Sequence, residues 1–356
     1  MTVPMSDGEE NVYLHSIAFN QDASCFAVGT TAGFRVYGWN PPTNNAAGEA
    51  VSGEESLHQL RQSLRTERSP NVGAPLGTVK MLFKTNLFGI VRAPKEGDNG
   101  TCDRSHKVII WDDLGKNVIY EVLGTKGHPV LNFVWRKDVM VMVCEYSLRV
   151  FDCDKMNIIY KPNVDGSNKN GMGSNKNGLC ALASASDPWM ICFPGSKGSV
   201  LVHSPRLQSN YHIQAHDRTL GAIAVNDTGT LVATADETGT VVKVFRTGID
   251  VEGNPTGNCE QLYDLWRGHK PAVISSLAFR NDDRFMAAAS SSSTIHVFKL
   301  QGGKDEGGCG SEASRSDAEQ AGQDTAYGSA YPNREASGGE QGGEQNPAAG
   351  TSSSPY

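Results

Sequence analysis

Short runs in which apolar and polar residues alternate recur along the first 300 residues, and polar turn residues separate them. The first run is VYLHSIAF at 12–19, and Asn20-Gln21-Asp22 interrupts it as a turn would. CFAVG at 25–29 and GFRVY at 33–37 complete a set of three. Period-two alternation bounded by turn residues predicts strands joined as a β-meander. Because helical periodicity is hard to find before residue 300, the sequence predicts an all-β fold.

Five further sets of strands follow. Their predicted strands are Val79–Val91 (broken at Thr85-Asn86), Lys107–Asp112 and Asn117–Val122; Val130–Trp135, Val139–Cys144 and Ser147–Asp152; Leu179–Ala183, Trp189–Phe193 and Ser199–His203; Leu220–Val225, Thr230–Ala235 and Thr240–Phe245; Val273–Phe279, Phe285–Ala289 and Thr294–Phe298. The third strand of each set carries a ring at Tyr37, Trp111, Phe151, His203, Phe245 or Phe298. Without the obvious loops, these markers repeat at about 40 residues, the length of a propeller blade.

Dipeptides typical of WD repeats accompany this pattern. Gly127-His128 and Gly268-His269 each precede a blade, and Trp111-Asp112 ends a strand. We therefore predict a β-propeller domain over 11–300, with six recognisable blades. Trp266 and Arg267 are adjacent on one predicted strand, so they should serve its opposite sides.

Polar segments interrupt and follow the blades. Asn40–Ala74 is predicted to be a long loop; Leu57, Leu60 and Leu64 would allow a short helix there, but a flexible insertion is favoured. Residues 301–356 contain 12 glycines and no Ile, Val, Leu, Met, Phe or Trp. Such a segment cannot bury enough surface to offset its ordering entropy, so a disordered acidic tail is predicted.

Charge and composition exclude several functions. The tail holds three basic and nine acidic residues, a net charge of −6 that leaves −1 for residues 1–300, which argues against broad nucleic-acid binding. Eight cysteines without a CxxC pair suggest neither zinc nor disulfides, and a reducing cytosol fits them. No apolar run is long enough for a transmembrane helix, and the acidic N-terminus is not a signal peptide. Catalytic motifs are not found, so neither an enzyme nor a cofactor or metal site is predicted.

Several segments together resemble the PROPPIN family, the β-propellers that bind polyphosphoinositides in autophagy. The resemblance covers about residues 11–300 and is strongest in AHDRTLGAIAVNDTGTLVATADETGTVVKVF and LWRGHKPAVISSLAFRNDDRFMAAASSSSTIHVF. It implies two headgroup pockets on the propeller rim, each receiving one arginine of a Phe/Leu-Arg-Arg-Gly motif. Arginine suits this role because its guanidinium presents a rigid fork of donors to phosphate.

Residues that match the first pocket are partly altered. Trp266 replaces the first arginine, Asp236 stands where the family usually has serine, and Lys243 stands where it has arginine. The positions retained are His216, Thr234 and Thr240. A carboxylate beside a phosphate repels it, so this pocket is predicted to be degenerate, with His216 favoured as a turn-capping residue. Trp266 is favoured as a strand-face packing residue over a membrane anchor.

The second pocket keeps more of the family pattern. Arg267 matches the second arginine, and the hydroxyl and imidazole ligands implied by the resemblance are Ser290, Thr294 and His296. Ser291-Ser292-Ser293 stands where Asp-Lys-Gly is common, which removes a basic residue. One weaker pocket is therefore expected, although His296 suits a core position equally well. Neither the family's membrane loop in the sixth blade nor its seventh blade can be found, and an unclosed ring would expose strand edges.

The resemblance implies a peripheral membrane adaptor. It would bind phosphatidylinositol 3-phosphate or the 3,5-bisphosphate and recruit autophagy factors during autophagosome formation. Its expected location is the cytoplasm, peripherally on preautophagosomal or endosomal membranes. Asn20 and Asp22 lie where a family subgroup docks the autophagy lipid-transfer protein, although a simple turn is favoured there. The alternative is a WD-repeat protein-interaction scaffold with weakened or lost lipid binding.

Overall fold

The computed structural model describes residues 12–38, 64–68, 75–93, 106–124, 128–162 and 171–300. Backbone contacts divide the chain into Met1–Gly303 and Lys304–Tyr356, and every described residue lies in the first unit. The tail prediction for 301–356, and most of the loop predicted at Asn40–Ala74, fall outside the described residues.

The described strands form a six-bladed β-propeller. The blades comprise β1 (Leu14–Phe19), β2 (Cys25–Thr30), β3 (Gly33–Gly38) and β4 (Leu64–Arg68); β5 (Leu76–Met81), β6 (Leu87–Arg92), β7 (Lys107–Asp112) and β8 (Asn117–Leu123); β9 (Asn132–Trp135), β10 (Val139–Cys144), β11 (Ser147–Asp152) and β12 (Ile158–Tyr160); β13 (Ala181–Leu182), β14 (Ile191–Pro194), β15 (Ser199–His203) and β16 (Tyr211–Gln214); β17 (Leu220–Val225), β18 (Leu231–Asp236), β19 (Val241–Arg246) and β20 (Gln261–Trp266); and β21 (Ile274–Phe279), β22 (Phe285–Ser290) and β23 (Ile295–Lys299). In each blade, consecutive strands pair antiparallel.

The ring-bearing markers occupy equivalent positions in the blades. In blades one, two and six, the marker on the third strand pairs with the second residue of the second strand, as Tyr37 does with Phe26 and Phe298 with Met286. Phe26 and Tyr37 also stack, with ring centroids 5.1 Å apart. The repeat unit predicted from the marker spacing is therefore the structural repeat.

The hydrophobic core lies between blades. The second and third strands supply most of it: every residue of β10 is buried, and blades five and six meet through Val242, Val244, Met286 and Ala288. Strands buried on both faces read as near-continuous apolar runs, which explains why these strands were predicted with accurate bounds.

The prediction of an uninterrupted loop over Asn40–Ala74 is wrong at β4, and the outer strands β12 and β16 were also missed. Outer strands lie at the edge of each blade and contact the core little, so few of their positions need to be apolar. β12, for example, has no fully buried position among its three residues. Alternation of apolar and polar residues is a weak signal for such strands.

The first and last blades each present an exposed apolar face. In blade one, Ile17 and Phe19 on β1 are 58% and 51% exposed. In blade six, Ile295 and Val297 on β23 are 71% and 66% exposed. Equivalent faces at the inner junctions are buried, so the described strands leave both faces open to solvent.

Candidate functional site

Two turns of the same construction lie at neighbouring blade edges. One joins β18 to β19 over 236–240, and the other joins β22 to β23 over 290–294. Gly239 and Ser293 occupy the same position in them, with φ angles of 59° and 61°. Glycine adopts this left-handed conformation without strain, whereas a residue with a Cβ does so at a cost. This cost explains why the family usually has glycine at the position of Ser293.

The turn in blade six aligns four polar side chains. The Ser290 and Ser292 hydroxyl oxygens are 2.8 Å apart, and Ser292 lies 2.9 Å from the Thr294 hydroxyl. The Thr294 hydroxyl is in turn 3.3 Å from His296 Nε2. Three predicted ligands are therefore adjacent, and they are connected through Ser292, which sequence reasoning did not select.

Arg267 lies between the two turns and is only 8% exposed. Its backbone N–H donates to the Thr240 carbonyl (2.9 Å). Its guanidinium donates to the carbonyls of Gly239 and Lys270, and its Nη1 is 3.5 Å from Ser292 Oγ. A guanidinium carries five N–H donors, so donors remain beside the hydroxyl row. Among the described residues, no carboxylate forms a salt bridge with this arginine.

Gly239 holds part of this arrangement in place. A Cβ at residue 239 would lie 2.1 Å from the Ala272 carbonyl oxygen, so no larger residue fits without moving the backbone. Since the Gly239 carbonyl accepts from Arg267, such a movement would also shift the guanidinium.

His296 is half-buried and lies on the face of β23 that is directed towards blade five. It pairs with Ala288, a fully buried residue of the junction between blades five and six. Burial, and after it the positive charge of Arg267, lower the pKa of His296 below its ordinary value. The neutral imidazole is therefore favoured at pH 7, and an incoming anion would favour its protonated form.

The residues predicted for the first pocket lie in blades four and five, near the carboxylate of Asp236. His216 is buried, and its Nε2 lies 3.0 Å from the Thr234 hydroxyl, so its side chain contacts β18 and does not cap a turn. Lys243 pairs with Thr234 on one side and Asp264 on the other. The Thr240 hydroxyl, 3.4 Å from that of Thr238, lies in the turn.

Asp236 gives this group of residues a negative charge. Its Oδ1 accepts from the Thr238 hydroxyl (2.6 Å), the Thr238 N–H (3.0 Å) and the Gly239 N–H (3.0 Å). Burial raises the pKa of Asp236, but these hydrogen bonds together outweigh it and lower the pKa below the ordinary value. The carboxylate is thus ionised at neutral pH and would repel an anion.

Trp266 is 60% exposed, which contradicts its prediction as a strand-face packing residue. It pairs with Val241 at the end of β20, and its neighbour Arg267 turns towards blade six. The two residues therefore serve opposite sides of the strand, as alternation predicted. The indole has no core to enter because β20 is the outer strand of its blade.

Asn20 and Asp22 build the predicted turn. Asn20 is buried, its Oδ1 accepts from Cys25 N–H (3.1 Å), and its amide donates to the Phe83 carbonyl (3.2 Å). Asp22 is exposed and accepts from the Ser24 N–H. The Asn20 side chain is thus engaged within the fold, whereas Asp22 faces solvent.

The described ranges contain neither a metal-binding cluster nor a membrane-spanning helix. No group of three His, Cys, Asp or Glu side chains there could hold a metal ion. The same part of the chain has no helix with the length and apolarity needed to cross a membrane.

Ser292 could have been found from the sequence. Ser290, Ser292, Thr294 and His296 occur at every second residue, and Asp236, Thr238 and Thr240 repeat this spacing 54 residues earlier. Aligning the two blades, instead of comparing each with a family pattern, would have indicated a row of hydroxyls.

Taken together, the fold and the site define a WD-type β-propeller whose rim carries a buried arginine beside a row of hydroxyls. The PROPPIN family model matches residues 125–310. The chain belongs to the PROPPIN family.

Two similar proteins support this assignment. The chain is 30% identical to SVP1-like protein 2 of Neurospora crassa over 286 residues, which cover 80% of this chain and 56% of the relative. It is 29% identical to Autophagy-related protein 18 of Dictyostelium discoideum, covering 82% of this chain and 67% of that protein. The chain thus spans between about half and two thirds of the length of such relatives.

Solved structures share the fold. Kluyveromyces lactis Hsv2 matches with a TM-score of 0.56 and 21% identity, covering 81% of this chain and 75% of that one. KlAtg21, solved in complex with the coiled coil of AgAtg16, matches with a TM-score of 0.59 and 24% identity, covering 81% of each chain.

Proposed function

We propose that this protein is a peripheral membrane adaptor that binds phosphatidylinositol 3-phosphate, the 3,5-bisphosphate, or both. The ligands are Arg267, Ser290, Ser292, Thr294 and His296. The lipid would bring the protein from the cytoplasm to preautophagosomal or endosomal membranes, where it would recruit autophagy factors. Membership of the PROPPIN family supports this role, and no catalytic residue is assigned.

The observation that carries the proposal is a buried arginine, Arg267, that forms no salt bridge with any carboxylate in the part of the chain that the structure describes. Burying an unpaired charge is costly, and arginine is seldom buried without a counter-ion. Arg267 keeps N–H donors beside the Ser292 hydroxyl, next to Thr294 and His296. A phosphate at this position would supply the missing negative charge and accept from both the guanidinium and the hydroxyls.

Vesicle flotation tests the proposal. Phosphatidylcholine vesicles that contain a 3-phosphorylated inositol lipid should float the protein, and vesicles without it should not. Arg267→Ala should weaken binding by about tenfold or more, since a charge-assisted pair is lost. Arg246→Ala is the matched control, because Arg246 is exposed at the opposite end of β19.

Arg267 also donates to two carbonyls, so its removal could disturb the fold. Ser292→Ala and Thr294→Val leave those bonds intact and should weaken binding by a smaller factor, about threefold each. Circular dichroism melting of each variant separates loss of fold from loss of binding. Equal flotation with and without the phosphorylated lipid would refute the proposal.

The ionised Asp236 in the first pocket favours a second candidate, a protein-interaction scaffold whose lipid binding is weakened. KlAtg21 was solved with a coiled coil, so a coiled coil of that type is a suitable probe for this chain. Calorimetry would measure its affinity with the parent protein and with Arg267→Ala. Binding that is equal in both, together with failed flotation, would favour the scaffold over the lipid adaptor.

A further inference from the structure

The loop from Trp266 to Val273 carries Arg267 at its base and exposes a mixed apolar and basic surface. Trp266 and Val273 are 60% and 62% exposed. Between them, His269, Lys270 and Pro271 are exposed as well. The Trp266 ring is 5.8 Å from the His269 ring, centroid to centroid.

This loop is fixed to the propeller at several points. Its Arg267 and Ala272 N–H groups donate to the carbonyls of Thr240 and Thr238, both at 2.9 Å. Val273 exchanges hydrogen bonds with Ser291 in the blade-six turn: the Ser291 N–H donates to the Val273 carbonyl (2.9 Å), and the Val273 N–H donates to the Ser291 hydroxyl (3.1 Å). The exposed side chains are therefore displayed by a braced backbone next to the hydroxyl row.

We propose that the Trp266–Val273 loop contacts the interfacial region of a lipid bilayer, with the Trp266 indole as its anchor. Tryptophan is favoured at the membrane–water interface because its ring is apolar and its N–H is polar. Lysine on the same loop is attracted to anionic lipid. This inference rests on the proposed function, since it explains why the headgroup would be met on a membrane and not as a free inositol phosphate.

The position of the apolar side chains supports a bilayer over a soluble ligand. Trp266 adjoins Arg267 in sequence, and Val273 is bonded to the blade-six turn. A free phosphate ester needs neither of these groups around its site, whereas a headgroup in a bilayer brings the acyl boundary close to both. Each exposed apolar group that leaves water adds affinity.

Tryptophan fluorescence offers a selective measurement. Trp111, Trp135 and Trp189 are 3%, 5% and 8% exposed, so their emission should respond little to vesicles. Trp39 lies outside the described residues, so the experiment uses the full chain with Trp39→Phe. Adding phosphatidylcholine vesicles that contain phosphatidylinositol 3-phosphate should shift the emission to shorter wavelength. Brominated acyl chains in the same vesicles should quench it.

Trp266→Ala should remove the shift and weaken vesicle binding by about tenfold, while Trp266→Phe should retain much of the affinity. Leu114→Ala is the control, because Leu114 is 82% exposed on the turn between β7 and β8, in blade two. Binding of soluble inositol 1,3-bisphosphate should be unchanged by Trp266→Ala.

The outcomes separate this inference from the proposed function. If the soluble headgroup and the doped vesicles bind but Trp266 emission does not shift, the loop is not a bilayer contact and the inference is overturned. If the soluble headgroup fails to bind while vesicles still shift the emission, the anchor stands and the headgroup proposal falls. If neither ligand produces a response, both are overturned.

Discussion

At the scale of single residues, the hydroxyl row in blade six depends on Ser292, which the family pattern does not mark as a ligand. Ser292 is an exposed serine among three others in the sequence. It matters because its hydroxyl lies within hydrogen-bonding distance of Ser290, Thr294 and Arg267. Sequence reasoning found Arg267, Ser290, Thr294 and His296 through family resemblance and read Ser291-Ser292-Ser293 as a loss. The row shows that the middle serine keeps a polar contact with Arg267.

His296 should make headgroup binding depend on pH. Burial and Arg267 lower the pKa of the free imidazole, whereas a bound phosphate would raise it, so binding takes up a proton. Affinity for inositol 1,3-bisphosphate should therefore rise as the pH falls from about 7.5 to about 5.5. The part of this rise that depends on His296 should be about threefold to tenfold.

Calorimetry of the parent protein and His296→Gln at matched pH measures that contribution, because titration of the phosphate itself is common to both. Folding holds the pKa of His296 below its ordinary value, so lower pH also removes stability, and the measurement should stay above about pH 5.5. Identical pH profiles for the two proteins would show that His296 does not contact the phosphate.

At the scale of elements, the two neighbouring turns differ mainly in their first residue. A second difference between the two pockets is the motif residue at the end of β20, which is Trp266 and not an arginine. Asp236 opens the blade-five turn and Ser290 opens the blade-six turn, with otherwise comparable spacing of hydroxyls. The same backbone thus presents a carboxylate in one case and a hydroxyl in the other. The charges of the side chains, not the geometry of the turns, distinguish the two groups of residues.

The degenerate pocket should be recoverable. Asp236→Asn keeps the acceptor for Thr238 and Gly239 but removes the charge, and Trp266→Arg supplies a guanidinium beside Lys243. The double variant should bind about two soluble headgroups per chain where the parent binds about one, since each pocket would hold a charge-assisted contact. Calorimetric stoichiometry measures this, and Trp266→Arg alone is the control because Asp236 remains. A ratio that stays at one would mean that other groups in the pocket also prevent binding.

The pattern of apolar and polar residues predicted the inner strands of the blades better than the outer strands. The inner strands were predicted with accurate bounds, as in Val139–Cys144, because burial on both sides imposes apolar residues along their length. The outer strands β12 and β16 were missed because they pack on one side or not at all. Their existence follows from pairing with the third strand of each blade, a contact between residues that lie apart in sequence.

At the scale of the whole molecule, the first and last blades each expose an apolar face among the residues that the structure describes. In a closed ring, every blade face would be buried as the faces between blades five and six are. Ile17 and Phe19 on one side, and Ile295 and Val297 on the other, remain more than half exposed. A large apolar surface that water can reach adds little to stability and favours association.

Because the outer face of blade six is exposed, substitutions on that face should change the free energy of unfolding less than substitutions at the junction with blade five. Ile295→Thr and Val297→Thr should each change the free energy of unfolding by less than about 0.5 kcal/mol, because these side chains are already solvated. Val242→Thr and Val244→Thr, both fully buried at the junction of blades five and six, should each cost about 1–3 kcal/mol. All four changes keep a β-branched side chain. Urea unfolding measures them, and equal losses on the two sides would mean that the outer face is covered in solution.

The sequence by itself determined the repeat, the strand order within a blade and the residue types at the rim, because alternation and turn residues are local properties of the chain. It also determined that Trp266 and Arg267 face opposite ways, since a strand has a period of two. Only the tertiary structure decided that Arg267 is buried between two turns 54 residues apart, that its Nη1 lies 3.5 Å from Ser292 Oγ, and that Trp266 is exposed. Each of these depends on how one blade packs against the next, and contacts between blades leave no pattern in either segment alone.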